Sequence, residues 1–75
     1  HAAPEYGAEV AAALGRALRT LPAAQRDVVV LKLINGLSFR EIAERLGASE
    51  AACKMRLSRA LERLRAELER EGVAP

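Results

Sequence analysis

Between Ala51 and Leu61 the chain carries Lys54, Arg56 and Arg59 and no acidic residue, inside a segment whose apolar side chains recur at helical spacing. Cations gathered on one helix without interleaved carboxylates attract polyanions rather than one another. Advancing about 100° per residue, Cys53, Leu57, Ala60, Leu61, Leu64 and Leu68 share one sector, which is expected to face a core. The opposite sector holds Ala51, Met55, Ser58, Arg59 and Glu62; Lys54 and Arg65 border it on one edge, Arg56 and Arg63 on the other. A face of small or adaptable side chains walled by cations suits a nucleic-acid groove, whose two walls are phosphate. Glu62, Glu67, Glu69 and Glu71 come later, so the attraction is concentrated in the first half of the helix and the second half is expected to serve packing.

The elements before this helix read as its mounting. Ser38 and Glu41 form a capping-box pair that starts a helix. Phe39, Ile42, Ala43 and Leu46 give that helix one apolar face, and small Ala43 leaves room for another helix to cross closely. Gly47 suits the left-handed conformation that closes a helix, and Ser49 caps the next one. Two helices joined by a short glycine-containing turn are a helix-turn-helix, whose second helix is the one that enters a major groove. Upstream, Val10, Leu14 and Leu18 predict a first amphipathic helix over about Ala8 to Arg19, ended at Leu21-Pro22. A second helix is expected from Pro22 or Ala23 through Ile34, with Val28, Leu31, Ile34 and Val30 inward and Asn35-Gly36 as its stop. The run Val28-Val29-Val30 has strand propensity, but no second strand-like segment exists to pair with it. Residues 1–7 are expected to form a loose tail or linker and residues 8–72 the folded domain.

The fold class is therefore all-α: a compact four-helix domain containing a helix-turn-helix, with a long C-terminal recognition helix and no winged-helix strands. At 75 residues, 51% of them hydrophobic and 3% aromatic, the chain has room for one small helical core. A net charge of +2 is too small to force adhesion to nucleic acid, so binding must come from local charge placement. The lone Cys53 excludes an internal disulfide and reads as a small core residue, and with His1 the only histidine a zinc site lacks ligands. No cofactor motif is present. No apolar run reaches the roughly 18 residues of a membrane span, and no signal peptide is visible, so a cytoplasmic protein is expected. No nucleophile stands beside a base and no carboxylate pair is free of cations; Glu41, Glu44, Glu62 and Glu67 read as caps and surface ion-pair partners, and no enzymatic activity is expected.

Leu21-Pro22, Arg26, Val29 or Val30, Gly36-Leu37-Ser38, Glu41-Ile42-Ala43, Leu46-Gly47, Ser49 and the run Lys54 to Arg65 together resemble region 4 of bacterial sigma factors, most closely the extracytoplasmic-function class. The likeness covers roughly Ala17 to Leu68 in the family's order and spacing. It implies a helical unit whose recognition helix reads the promoter −35 element in double-stranded DNA, while another surface docks on the β flap of RNA polymerase core. It also implies control by an anti-sigma factor. Carried over by position, Lys54, Met55, Ser58 and Arg59 would face bases or the groove edge, and Arg26, Arg40, Ser49 and Arg56 would contact phosphate. For Met55, Ser58 and Arg59 the helical projection reaches the same face independently.

The chain departs from the pattern at Ala52 and Cys53, where the family commonly has threonine and valine, so a small hydroxyl near phosphate is missing. A whole sigma factor also needs an upstream domain that engages the polymerase clamp and melts the −10 element, for which these residues have no room. The chain is thus expected to be a fragment or a stand-alone relative, to bind promoter DNA weakly alone and not to initiate transcription. Two rival readings remain at this level. The effector domain of response regulators shares the Gly-Leu-Ser and Glu-Ile-Ala pattern, but its recognition helix usually continues with a histidine and ends in a Lys-Leu pair. A protein-interaction module would instead expose an apolar stripe, for which Leu33, Leu37 and Val30 are candidates.

Overall fold

A computed structural model describes residues 5–72. Helix α1 spans Glu5–Thr20, α2 Ala23–Val29 with a π-helical turn Val30–Ile34 continuing it, α3 Phe39–Leu46 and α4 Glu50–Arg70. No strand occurs among the described residues. Helix α1 starts at Glu5 rather than near Ala8, which draws three residues of the expected tail into the helix; residues 1–4 lie outside those described.

Local chemistry sets each boundary. The Thr20 hydroxyl donates to the Ala17 carbonyl at 2.7 Å, closing α1. Pro22 stands at the N-cap of α2 with φ −55° and ψ 147°, and its carbonyl accepts from the amides of Gln25 and Arg26, each at 3.0 Å. At Ser38 both halves of the capping box form: the Ser38 amide donates to the Glu41 carboxylate at 2.8 Å and the Glu41 amide to the Ser38 hydroxyl oxygen at 3.1 Å. Those bonds hold the Glu41 carboxyl below its usual value, the Ser38 amide contributing most and the Ser38 hydroxyl next. Gly47 closes α3 at φ 65°, in the left-handed region, and the Ser49 hydroxyl oxygen accepts from the Ala52 amide at 3.0 Å to open α4.

Helix α2 is the middle of the packing and buries residues on two sides. Val29 joins Ala17, Leu21, Ala60 and Leu64 in one cluster, where α1, α2 and α4 meet. Val28 and Leu31 join Ile42, Ala43 and Cys53 in the other, where α2, α3 and α4 meet, and Leu57 packs against both. Fully buried Cys53 beside Ala43 is the close crossing of α3 and α4 that small side chains permit.

Inward assignments in three helices are corrected. Ile34 is 66% exposed and Val30 only half-buried, while Val29 is buried. The cause is the π turn: the Asn35 amide bonds the Val30 carbonyl at 2.9 Å, five residues back, so the end of the helix is underwound and Ile34 swings away from the side that Leu31 faces. In α1 Ala13 and Ala17 are buried, whereas Val10 and Leu14 stay about 40% exposed; α1 approaches α4 through its alanines and half-buried Leu18 and leaves Val10 and Leu14 on the rim. In α4 Leu61 is 44% exposed, because its sector faces the rim rather than the packed centre occupied by Ala60 and Leu64.

Candidate nucleic-acid interface

The outer face of α4 is built by what lies behind it. Cys53, Ala60 and Leu64 are buried, which fixes the rotation of the helix and turns Lys54, Met55, Ser58 and Arg59 to solvent. Arg56 is half-buried on the flank. Among the described residues, Lys54, Arg56, Arg59, Arg63 and Arg65 have no carboxylate within 4.0 Å; Glu67, a possible partner for Arg63, pairs instead with Arg70 at 3.4 Å. The first half of the helix therefore presents cations that no neighbouring acid neutralises.

The remaining expected contacts are distributed over the other elements. Ser49 is exposed at the start of α4 and spends its oxygen lone pair on the Ala52 amide, which leaves its hydroxyl proton free to donate. Arg40, on the first turn of α3, is exposed and makes a loose pair with Glu44 at 3.5 Å. Arg26 is half-buried and lines a shallow cleft with Asp27, Arg45 and Leu46, at the end of α3 opposite Phe39. Arg26 is thus not grouped with Lys54 and Arg40 but stands on a separate edge of the domain.

One cation escaped the sequence reading. Lys32 lies on the π turn with its Nζ 4.6 Å from the centre of the Phe39 ring, and the Nζ of Lys54 lies 5.8 Å from the same ring. The end of α2, the first turn of α3 and the second turn of α4 therefore converge on Phe39. In the sequence Lys32 is a single charge within Val28 to Ile34, a run that reads as core, and only the underwound turn reveals where it points.

A second surface is apolar. Leu14 and Leu18 of α1, Leu33 and Ile34 of the π turn, and Leu61 and Leu68 of α4 line an open groove floored by Val29 and Leu64. Leu33 at 58% and Ile34 at 66% exposure form its most accessible wall. Of the apolar stripe expected from Leu33, Leu37 and Val30, only Leu33 belongs to it; Leu37 is half-buried against the cluster around Ile42.

Capped helices, a left-handed glycine between them and a cationic second helix define a helix-turn-helix domain of the nucleic-acid-binding type. Residues 11–64 match the family described as Sigma-70, region 4, and the chain belongs to that family. It is similar to the ECF RNA polymerase sigma factor SigD of Mycobacterium tuberculosis (strain ATCC 25618 / H37Rv), 38% identical over 55 residues that make up 73% of this chain and 26% of that protein. It is also similar to the ECF RNA polymerase sigma factor SigF of Caulobacter vibrioides, 44% identical over 68 residues, 91% of this chain and 37% of that protein. The chain thus spans between about a quarter and two fifths of the length of these relatives. No solved structure matches it significantly. The response-regulator reading gains no support from these matches. Among the described residues no helix is long and apolar enough to cross a membrane, and no group of three acidic, cysteine or histidine side chains is placed to hold a metal ion.

Proposed function

We propose that this chain is the −35-reading domain of an extracytoplasmic-function sigma factor, directing RNA polymerase to promoters in the cytoplasm. The observation that carries the reading is the outer face of α4, where Met55, Ser58 and Arg59 stand exposed, backed by buried Cys53 and Ala60 and bordered by unpaired cations. In this reading Met55, Ser58 and Arg59 face base edges, and Arg59 donates two hydrogen bonds to a guanine. Arg40, Ser49, Arg56 and Lys32 hold the phosphate walls, with Lys54 at the groove edge and Arg26 on a more distant phosphate. The apolar groove between α1, the π turn and α4 takes the polymerase β flap. Its support is an exposed apolar surface on the side of α4 away from Met55, in a domain whose family resemblance implies a second partner. An anti-sigma factor would inhibit by covering either face.

Binding titrations across a range of salt, on duplexes carrying a −35-type site and on scrambled duplexes, test the first half of the reading. Capture of a β-flap fragment tests the second. Salt-dependent binding with sequence preference, together with flap capture, is expected; dimerisation on paired half-sites would make the chain a regulator, and indifference to DNA would make it a protein-interaction module.

A further inference from the structure

Phe39, at the start of α3, stands on the cationic side of the domain, and lysines from two other elements, Lys32 of the π turn and Lys54 of α4, reach its ring. We propose that Phe39 is a positioning residue: its ring holds the Lys32 and Lys54 ammonium groups as a pair that grips one stretch of DNA phosphate. The inference rests on the DNA-reading role proposed above and adds to it the device that presets the grip.

The ring is itself held in place. Phe39 follows the Ser38 cap, whose two hydrogen bonds fix the first turn of α3. Its side chain is half-buried against the cluster formed by Val28, Leu31, Ile42, Ala43 and Cys53. Both ammonium groups lie within the distance at which a ring quadrupole attracts a cation, Lys32 at 4.6 Å and Lys54 at 5.8 Å. Lys32 reaches the ring because the π turn sets its register, and Lys54 because burial of Cys53 sets the rotation of α4.

The pair is also uncompensated. Neither lysine has a carboxylate within 4.0 Å among the described residues. Glu41 is near enough to feel Lys32, but its carboxylate is already bonded to the Ser38 amide at 2.8 Å. Two like charges gathered on one ring repel each other, and an anion that bridges them relieves the repulsion. Lysine otherwise loses much rotamer freedom when it binds, and a ring that has already narrowed its choices lowers that loss. With the DNA-reading role proposed above, the anion offered to this pair is the phosphodiester backbone.

The test uses the 75-residue chain with Phe39→Leu, Phe39→Trp, the double variant Lys32→Ala/Lys54→Ala, and the triple variant that adds Phe39→Leu. In the free chain, ring-current shifts of the lysine ε-methylene protons are expected for both lysines and vanish in Phe39→Leu. On a duplex enriched by the wild-type chain from a random library, Phe39→Leu lowers the slope of log affinity against log salt by about 0.9 to 1.8, the worth of one to two phosphate contacts. Between 50 and 200 mM salt the wild type then loses about 3- to 12-fold more affinity than the variant. Phe39→Trp keeps the wild-type slope, and the triple variant behaves as the double. A folded Phe39→Leu with the wild-type slope overturns the proposal, as does a triple variant whose losses add. If Phe39→Leu melts too low to assay, a Phe39→Trp chain with a lowered slope and lost ring shifts overturns it instead. Unshifted lysine protons in the wild type remove the platform itself. Ring-shifted protons in a chain that binds no duplex sink the DNA reading, and with it the ligand assigned here.

Discussion

Arg59→Ala separates base reading from general attraction to DNA. Arg59 is exposed and has no carboxylate within 4.0 Å among the described residues, so its removal strands no charge and breaks no pair. Its neighbour Ala60 is fully buried and keeps the rotation of α4 unchanged. Stability is therefore expected to stay within about 0.5 kcal/mol of the wild type. A bidentate bond to a guanine edge is worth about 1–3 kcal/mol of discrimination, which corresponds to about 5- to 150-fold in the ratio of affinities for cognate and scrambled duplexes. Anisotropy titrations of both chains on both duplexes at one salt concentration read that ratio, with thermal melts as the control. Arg56→Ala is the contrast: its loss is expected to fall equally on both duplexes and to lower the salt slope by about 0.9. An Arg59→Ala chain that loses affinity equally on both duplexes would make Arg59 a phosphate contact. No change on either would remove the outer face of α4 from the interface.

Three further outcomes follow from the fold. At Gly47 an added Cβ meets nothing within 4 Å, so the cost of Gly47→Ala is the left-handed backbone alone, about 1–2 kcal/mol; Gly47→Asn costs less, and Ala and Asn variants that both melt with the wild type would refute the turn's role. Leu33→Asp and Ile34→Asp place charge on residues that are 58% and 66% exposed. Both variants are expected to stay folded and keep their DNA preference while losing capture of the β-flap fragment; undiminished capture would clear the groove of that role. The Glu41 carboxyl is held below the usual value of 4.5 in the folded chain. Its contribution to stability is therefore present above that value and is lost as pH falls through the depressed folded value. The difference in melting temperature between wild type and Glu41→Gln should hold steady near neutral pH and shrink in acid; a difference that grows in acid would contradict the cap's electrostatics.

What the sequence made legible was set by distance along the chain. Ser38 with Glu41, Gly47 and Ser49 act on backbone groups within four residues, and each does what its residue type predicts. The face of α4 was readable for the same reason, since Cys53, Ala60 and Leu64 repeat within one regular helix. Ile34 was not, because an i to i+5 turn changes the angular step and nothing in Val30–Ile34 announces it. Leu14 and Leu61 were misassigned for a different reason. Periodicity finds which side chains share a side, but a domain with this few helices covers only part of each apolar stripe, and α1 meets α4 through Ala13 and Ala17. Lys32 was missed because its neighbours in sequence are core-like, while its neighbour in space is Phe39.

The central claim is that the first half of α4 reads one defined duplex sequence as a single, unpaired site. Selection of bound duplexes from a fully random library by this chain tests it without any assumption about the promoter. Enrichment of one short, non-palindromic motif, lost when Arg59 is replaced by alanine, is the predicted result. Recovery of random sequence, or of paired inverted half-sites, would contradict it.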